Sequence, residues 1–302
     1  MSLRIIRASS DFKNDLATYR EERQPIIEDF LYEKQVLMIS SDAGVGKSVL
    51  SEQAFLCLIR PQALFGYMAI RKPYRVYYLQ LEGDYGEYID RARMMRAVIP
   101  IEEGTFIWDE CRLAEASNSA WVKGTLQEMD KIKPEVFIVD GLYKLTGLKL
   151  ASEEGSKAII RFLDQVQSAF DCAVWLNHHI HRIKYQEGKA VDEDDPFYGS
   201  QWLKAHVDTS FLMKRGAKDQ VGLFLKKSRG SDVPKEILLH FNPETFTLFT
   251  ETDLDQMSGE EKVIAFYKRL LKSGRNSTTF EEVQAETKGS HSHIRRIQMR
   301  HI

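Results

Sequence analysis

The sequence predicts an α/β domain: a mostly parallel sheet flanked by helices, with antiparallel strands at one edge and a small helical unit at the C-terminus. Three observations predict it. Short apolar runs alternate with amphipathic helical segments from about residue 35 to residue 177, the pattern of a parallel sheet covered on both sides. After Trp202, strand-like runs follow one another with no long helix between them. Beyond a polar stretch from Thr252 to Gly259, only helical periodicity returns.

Taken in order, residues 1–33 are charged and without a clear period, and read as an N-terminal arm. Gln35–Ser40 is a short apolar run and reads as a buried strand. A glycine-bearing turn leads into an amphipathic helix from about Lys47 to Ile59. Arg75–Glu82 is the second strand, followed by an Arg- and Met-rich helix ending near Val98. Helix then strand recurs at Trp121–Ile132 with Glu135–Asp140, and at Gly155–Phe170 with Cys172–Asn177. In the last helix Ile159, Leu163, Val166 and Phe170 share one face. Val207–Lys214, Val221–Lys227, Glu236–Phe241 and Phe246–Thr250 read as the added strands. The domains are therefore residues 1–254, including the arm, and a helical unit at residues 255–302.

A chain of 302 residues can bury a sizeable core without staples. Its formal net charge of -2 gives no global bias toward nucleic acid, so any such surface is a local patch. Cys57, Cys111 and Cys172 are odd in number and widely spaced, which argues for free thiols over a disulfide framework or a zinc site. The start of the chain shows no signal-peptide pattern and no stretch is long and apolar enough to span a bilayer, so the expected location is the cytoplasm with no membrane partner.

The chemistry starts at Ser41-Asp42-Ala43-Gly44-Val45-Gly46-Lys47-Ser48. A phosphate loop needs small residues so that backbone N–H groups can surround phosphate oxygens, a lysine for the β/γ-phosphates and a hydroxyl for Mg²⁺. Ser41 stands where the motif has its first glycine. The setting restores the motif, because a buried strand precedes the loop and a helix N-terminus faces the phosphates. These eight residues are the expected ATP-binding set. Asp140 ends an apolar run at the C-terminal edge of a parallel strand, where open α/β sheets place ligands. It is the second expected Mg²⁺ residue beside Ser48.

With these pieces in order, residues 25–253 resemble the RecA-like ATPases, and within them the hexameric plasmid and phage replicative helicases of the RepA type. The resemblance is carried by the phosphate loop and by four further segments: Leu79-Gln80-Leu81-Glu82, Val139-Asp140-Gly141-Leu142, Leu176-Asn177-His178-His179 and Lys227-Ser228-Arg229-Gly230. It implies that Glu82 activates the attacking water and that His178 senses the γ-phosphate. It also implies that Lys227 and Arg229 reach a neighbouring subunit's nucleotide. A loop from Arg182 to Phe197 corresponds to the channel loop of the family, where His181, Arg182, Lys184, Lys189 and Tyr185 would meet single-stranded DNA. Asp192-Glu193-Asp194-Asp195 opposes that role, and a solvated loop is the other reading.

The C-terminal unit reads as a helix–turn–helix, with Val263, Phe266, Leu270 and Leu271 on one helix and Thr278 with Glu281 as a capping box. Lys288, Arg295, Arg296 and Arg300 make it basic. DNA binding and partner binding both remain open for it. The resemblance implies a ring-forming, ATP-hydrolysing DNA motor, a hexamer by preference, with catalytic residues Lys47, Glu82, His178, Lys227 and Arg229. The rival from another class is an ATP-controlled regulatory or scaffold module that does not unwind. A small-molecule kinase is disfavoured, because no arginine-bearing lid or acceptor site is evident.

Overall fold

The computed structural model describes residues 24–250, apart from residues 100–105, 112, 151, 181–184, 187–188, 191–200, 217–218 and 230–232. The helical unit read at residues 255–302 and the first part of the arm lie outside the described residues.

The core is one large sheet. Its parallel strands are β3 (Val36–Ser41), β4 (Val76–Gln80), β5 (Phe106–Glu110), β6 (Val136–Asp140), β7 (Ala173–His179) and β10 (Thr209–Arg215). β11 (Gln220–Lys227), β12 (Glu236–Asn242) and β13 (Thr247–Phe249) continue it antiparallel. The strand order is β13-β12-β11-β10-β3-β7-β6-β4-β5, a RecA-like arrangement. The first of the added strands, β10, is parallel rather than antiparallel. The chain reaches it from β7 by a long connection that contains a short helix at Gln201–His206, and a crossover brings strands in parallel.

The helices lie in two layers. α1 (Lys47–Ile59) and α2 (Tyr85–Met95) pack on one face through Leu50, Phe55, Leu58, Tyr88 and Met95. α3 (Ser119–Asp130) and α4 (Glu153–Phe170) cover the other through Val122, Met129, Ile159, Phe162 and Val166. The helix at Gln201–His206 is α5. Local chemistry starts three of the long ones. Asp84 accepts from Glu87 N at 2.9 Å, Asn118 from Ala120 N at 2.9 Å, and Ser152 from Gly155 N at 3.1 Å. Each satisfies an N–H that has no partner within its helix. α4 closes on Asp171 in the left-handed conformation, φ 57°, which aspartate tolerates.

Several elements went unread in the sequence. β5 is a five-residue edge strand, partly exposed along its length, whose apolar run, Phe106–Trp108, is only three residues long. β1 (Pro25–Ile27) and β2 (Leu31–Tyr32) form a hairpin within the stretch assigned to the arm. Its Ile26, Ile27, Phe30 and Leu31 are buried, and Phe30 stacks on Phe211 with ring centroids 5.3 Å apart. These residues belong to the core. β8 (Tyr185–Gln186) and β9 (Lys189–Ala190) form a second small hairpin within the predicted DNA loop. Cys57 and Cys172 are buried free thiols and Cys111 is half-buried.

Candidate functional site

The site forms at the C-terminal edge of the parallel strands. β3 ends at Ser41, and the loop turns through Gly44 (φ 73°) and Gly46 (φ 119°) before α1 opens at Lys47. No side chain caps α1, so its first N–H groups remain available to an anion. The Lys47 ammonium, 7% exposed, donates to Ser41 O at 3.1 Å, Ser41 Oγ at 2.7 Å and Asp42 O at 3.0 Å. Burial brings its pKa down to about 8, against the pull of Glu82, Asp140 and Asp42. Arg215, at the end of β10, donates to Gly44 O at 2.7 Å and so holds the outer side of the loop.

Asp140 is buried at the end of β6 and accepts hydrogen bonds from two side chains. Tyr78 donates its hydroxyl at 3.1 Å and Asn177 its amide at 2.8 Å, and the Ser48 hydroxyl is close enough to help hold the carboxylate's pKa down. Ser51 ties the set together, 2.8 Å from the Tyr78 hydroxyl and 2.8 Å from Asn177 Nδ2. Trp175 Nε1 donates to Asn177 Oδ1 at 3.0 Å, which fixes the orientation of that amide. Burial raises the Asp140 pKa, against the bonds from Asn177, Ser48 and Tyr78. Behind Tyr78 the rings of Trp108 and Tyr88 stack in series, at 4.0 Å and 3.6 Å between centroids. A hydroxyl beside a buried carboxylate fits a hydrated divalent cation that draws its other ligands from phosphate and water.

Glu82 follows β4 and lies over Gly141. A Cβ on Gly141 would come 2.7 Å from Glu82 Cγ, and the residue sits at φ 101°, so glycine is required there on two counts. The Glu82 carboxylate meets His179. Nε2 of the imidazole is 3.1 Å from both carboxylate oxygens, and Nδ1 is 3.4 Å from Lys47 Nζ. An ammonium only donates, so Nδ1 accepts and the ring proton sits on Nε2, facing Glu82. Tyr143 packs edge-on against the imidazole at 5.5 Å.

The structure thus brings together Lys47, Ser48, Glu82 and Asp140, and adds His179. His178 is not in this cluster. Strand alternation puts Trp175, Asn177 and His179 on the face of α1, and Val174, Leu176 and His178 on the face of α4. The family resemblance named His178, and the sequence itself offered no check on that choice, because β7 is buried on both faces and its apolar run shows no alternation. The bond to Asp140 from Asn177 supplies the missing parity: two residues on is His179.

Lys227 and Arg229 are not brought to this cluster. Lys227 closes β11 and pairs with Ser210, while the opposite end of the hairpin, at Arg215, meets the phosphate loop. Five residues of strand separate the two levels by about 17 Å. Lys227 donates to Lys204 O at 2.5 Å and Ala205 O at 3.4 Å, capping α5. Burial lowers its pKa, and Arg229 lowers it further. Arg229 is exposed just beyond the strand. His181, Arg182 and Lys184 of the predicted DNA loop lie outside the described residues.

This fold and phosphate loop define a phosphate-loop ATPase of the RecA-like class. A family model of AAA domains matches residues 4–182, and the chain belongs to that family. Among solved structures it is similar to one of an isolated ATPase domain, with 14% identity, a TM-score of 0.56, and coverage of 80% of this chain and 96% of that one. It is also similar to a DnaB-like replicative helicase solved for its interactions with primase, with 12% identity, a TM-score of 0.58, and coverage of 82% and 68%. No curated protein matches it. No helix among the described residues is long and apolar enough to cross a membrane.

Proposed function

We propose that the protein hydrolyses ATP to drive movement on DNA, as a replicative helicase of the RepA type. The observation that carries the ATPase reading is the chain of contacts Lys47–His179–Glu82 beside the Ser48–Asp140 pair. In this reading the loop Ser41–Ser48 binds the triphosphate and Lys47 neutralises its outer phosphates. Ser48 and Asp140 hold Mg²⁺, which supplies charge neutralisation at the phosphates. Glu82 orients water and takes its proton. His179 keeps the Glu82 carboxylate in place through Nε2–H and reports on Lys47 through Nδ1, so it is the better candidate for the sensor role that the family resemblance gave to His178.

The motor reading is supported by the likeness of the fold to a replicative helicase. It is also supported by the placement of Lys227 and Arg229 far from their own phosphate loop, as a contribution to a neighbour's site requires. A hexameric ring and a DNA- or partner-binding role for residues 255–302 complete the proposal. ATP turnover by the full chain should rise several-fold on adding single-stranded DNA, and Glu82→Gln should lose roughly 10²-fold or more in rate while still binding ATP. Turnover indifferent to DNA would favour a regulatory module in which ATP controls assembly. Wild-type hydrolysis by Glu82→Gln would remove Glu82 from the chemistry.

A further inference from the structure

Gln80 ends β4, and its side chain is 2% exposed. In the parallel register it stands opposite Asp140 on β6, which stands opposite Asn177 on β7. Directly opposed residues project to the same face, so Gln80, Asp140 and Asn177 form a polar row on the phosphate-loop side of an apolar sheet. The last two are explained by their bonds to each other and to Ser51.

Gln80 has a divided amide. Its Nε2 donates to the backbone carbonyl of Glu82 at 2.7 Å and to that of Asp84 at 3.4 Å. Both partners are acceptors only. Turning the amide over would set oxygen against oxygen, so its orientation is fixed by the turn. Its Oε1 is buried and receives no hydrogen bond. The turn itself leaves the amide room, since Gly83 has φ 75° and a Cβ there would come 3.3 Å from Gln80 Nε2. A buried acceptor without a donor carries its full desolvation cost, and the amide tolerates that cost for the two bonds its Nε2 makes to the turn.

We infer that Gln80 is a positioning residue for hydrolysis. Its Nε2 fixes the 82–84 turn, and with it the Glu82 carboxylate. This rests on Glu82 being the residue that activates water.

The test compares Gln80→Met, which keeps length but neither donates nor accepts, with Gln80→Glu, which keeps the acceptor and loses the donor. Both are made in the full chain, alone and with Glu82→Gln. The readouts are kcat, affinity for a fluorescent ATP analogue, and thermal melting. Gln80→Met should lower kcat by roughly 10²-fold with nucleotide affinity unchanged, the scale of a misplaced reacting group. Added to Glu82→Gln it should cost nothing more, because both act on the same step. A further loss as large as the single one would mark a merely structural role and overturn the inference. If Gln80→Met does not fold, Gln80→Glu decides: a reduced kcat with retained affinity supports the inference, and a wild-type kcat overturns it. An inactive Glu82→Gln beside a fully active Gln80→Met would sink this inference alone. A fully active Glu82→Gln would sink the reading of Glu82 beneath it.

Discussion

His179 Nε2 lies 3.1 Å from both carboxylate oxygens of Glu82, although their strands, β7 and β4, are separated in the sheet by β6. The contact depends on Glu82 crossing above the end of β6. His179→Ala should therefore free the carboxylate and slow ATP hydrolysis by roughly 10²-fold, the effect of losing a group that positions a base. His178→Asn, changed on the other face of the same strand, should keep kcat within about threefold, as substitutions outside the reacting cluster do. Equal kinetic losses in the two variants would contradict the assignment.

Gly141 is what allows that crossing. Gly141→Ala places a methyl against Glu82 Cγ and strains a left-handed backbone. The strain should cost about 1–3 kcal/mol in denaturant melts. Hydrolysis should fall roughly 10²-fold from displacement of the base, while ATP affinity stays close to wild type. A variant that is destabilised but turns over normally would show that Glu82 tolerates displacement.

The pH dependence follows from Lys47, whose ammonium burial brings down to about 8 from an ordinary 10.5. Between those values the unfolded chain holds a proton that the folded chain has lost. Stability without nucleotide should therefore rise as pH climbs through that window. Nucleotide affinity should move the other way. The triphosphate needs the charged form, so binding should weaken above about pH 8, by up to about tenfold per unit. Titration calorimetry from about pH 7 to about pH 10 reads both proton uptake and affinity. Lys47→Arg, charged throughout, should remove the pH dependence of whatever binding remains. An affinity flat across the window in the wild type would mean that Lys47 does not meet the phosphates.

Arg229 and Lys47 lie at opposite ends of the sheet, so a role for both in hydrolysis requires two subunits. Arg229→Ala should bind ATP and hydrolyse it about 10³-fold more slowly, the scale of a charge supplied in trans. Mixing it with Lys47→Ala should restore part of the activity, and dilution should remove it again. A monomer with a concentration-independent rate would contradict the shared site.

Much of this arrangement was legible in the sequence. The strand, glycine turn and helix around Lys47 announce the loop, and Asp140 and Glu82 stand out as carboxylates ending apolar runs. Gly141, by contrast, reads only as a turn residue until Glu82 is seen above it. Tyr78, Ser51 and Gln80 look like filler within a buried strand or helix. Their meaning comes from register across β4, β6 and β7, which is tertiary information. Fully buried strands also hide which way a side chain points, and that is why adjacent histidines could not be told apart. The hairpin of residues 25–32 was masked by its charged surroundings, and β5 by its exposure.

The stacked rings of Tyr78, Trp108 and Tyr88 put a fluorophore one hydrogen bond away from Asp140. The phenol that donates to Asp140 lies face to face with the Trp108 indole, so emission from that indole should respond to changes in the bonding of the carboxylate. Trp175 reaches the same carboxylate from the other side, through the amide of Asn177. Two of the chain's 4 tryptophans are thus wired to one group. If a cation binds beside Asp140 as proposed, its titration should change native fluorescence, with no label attached to the protein.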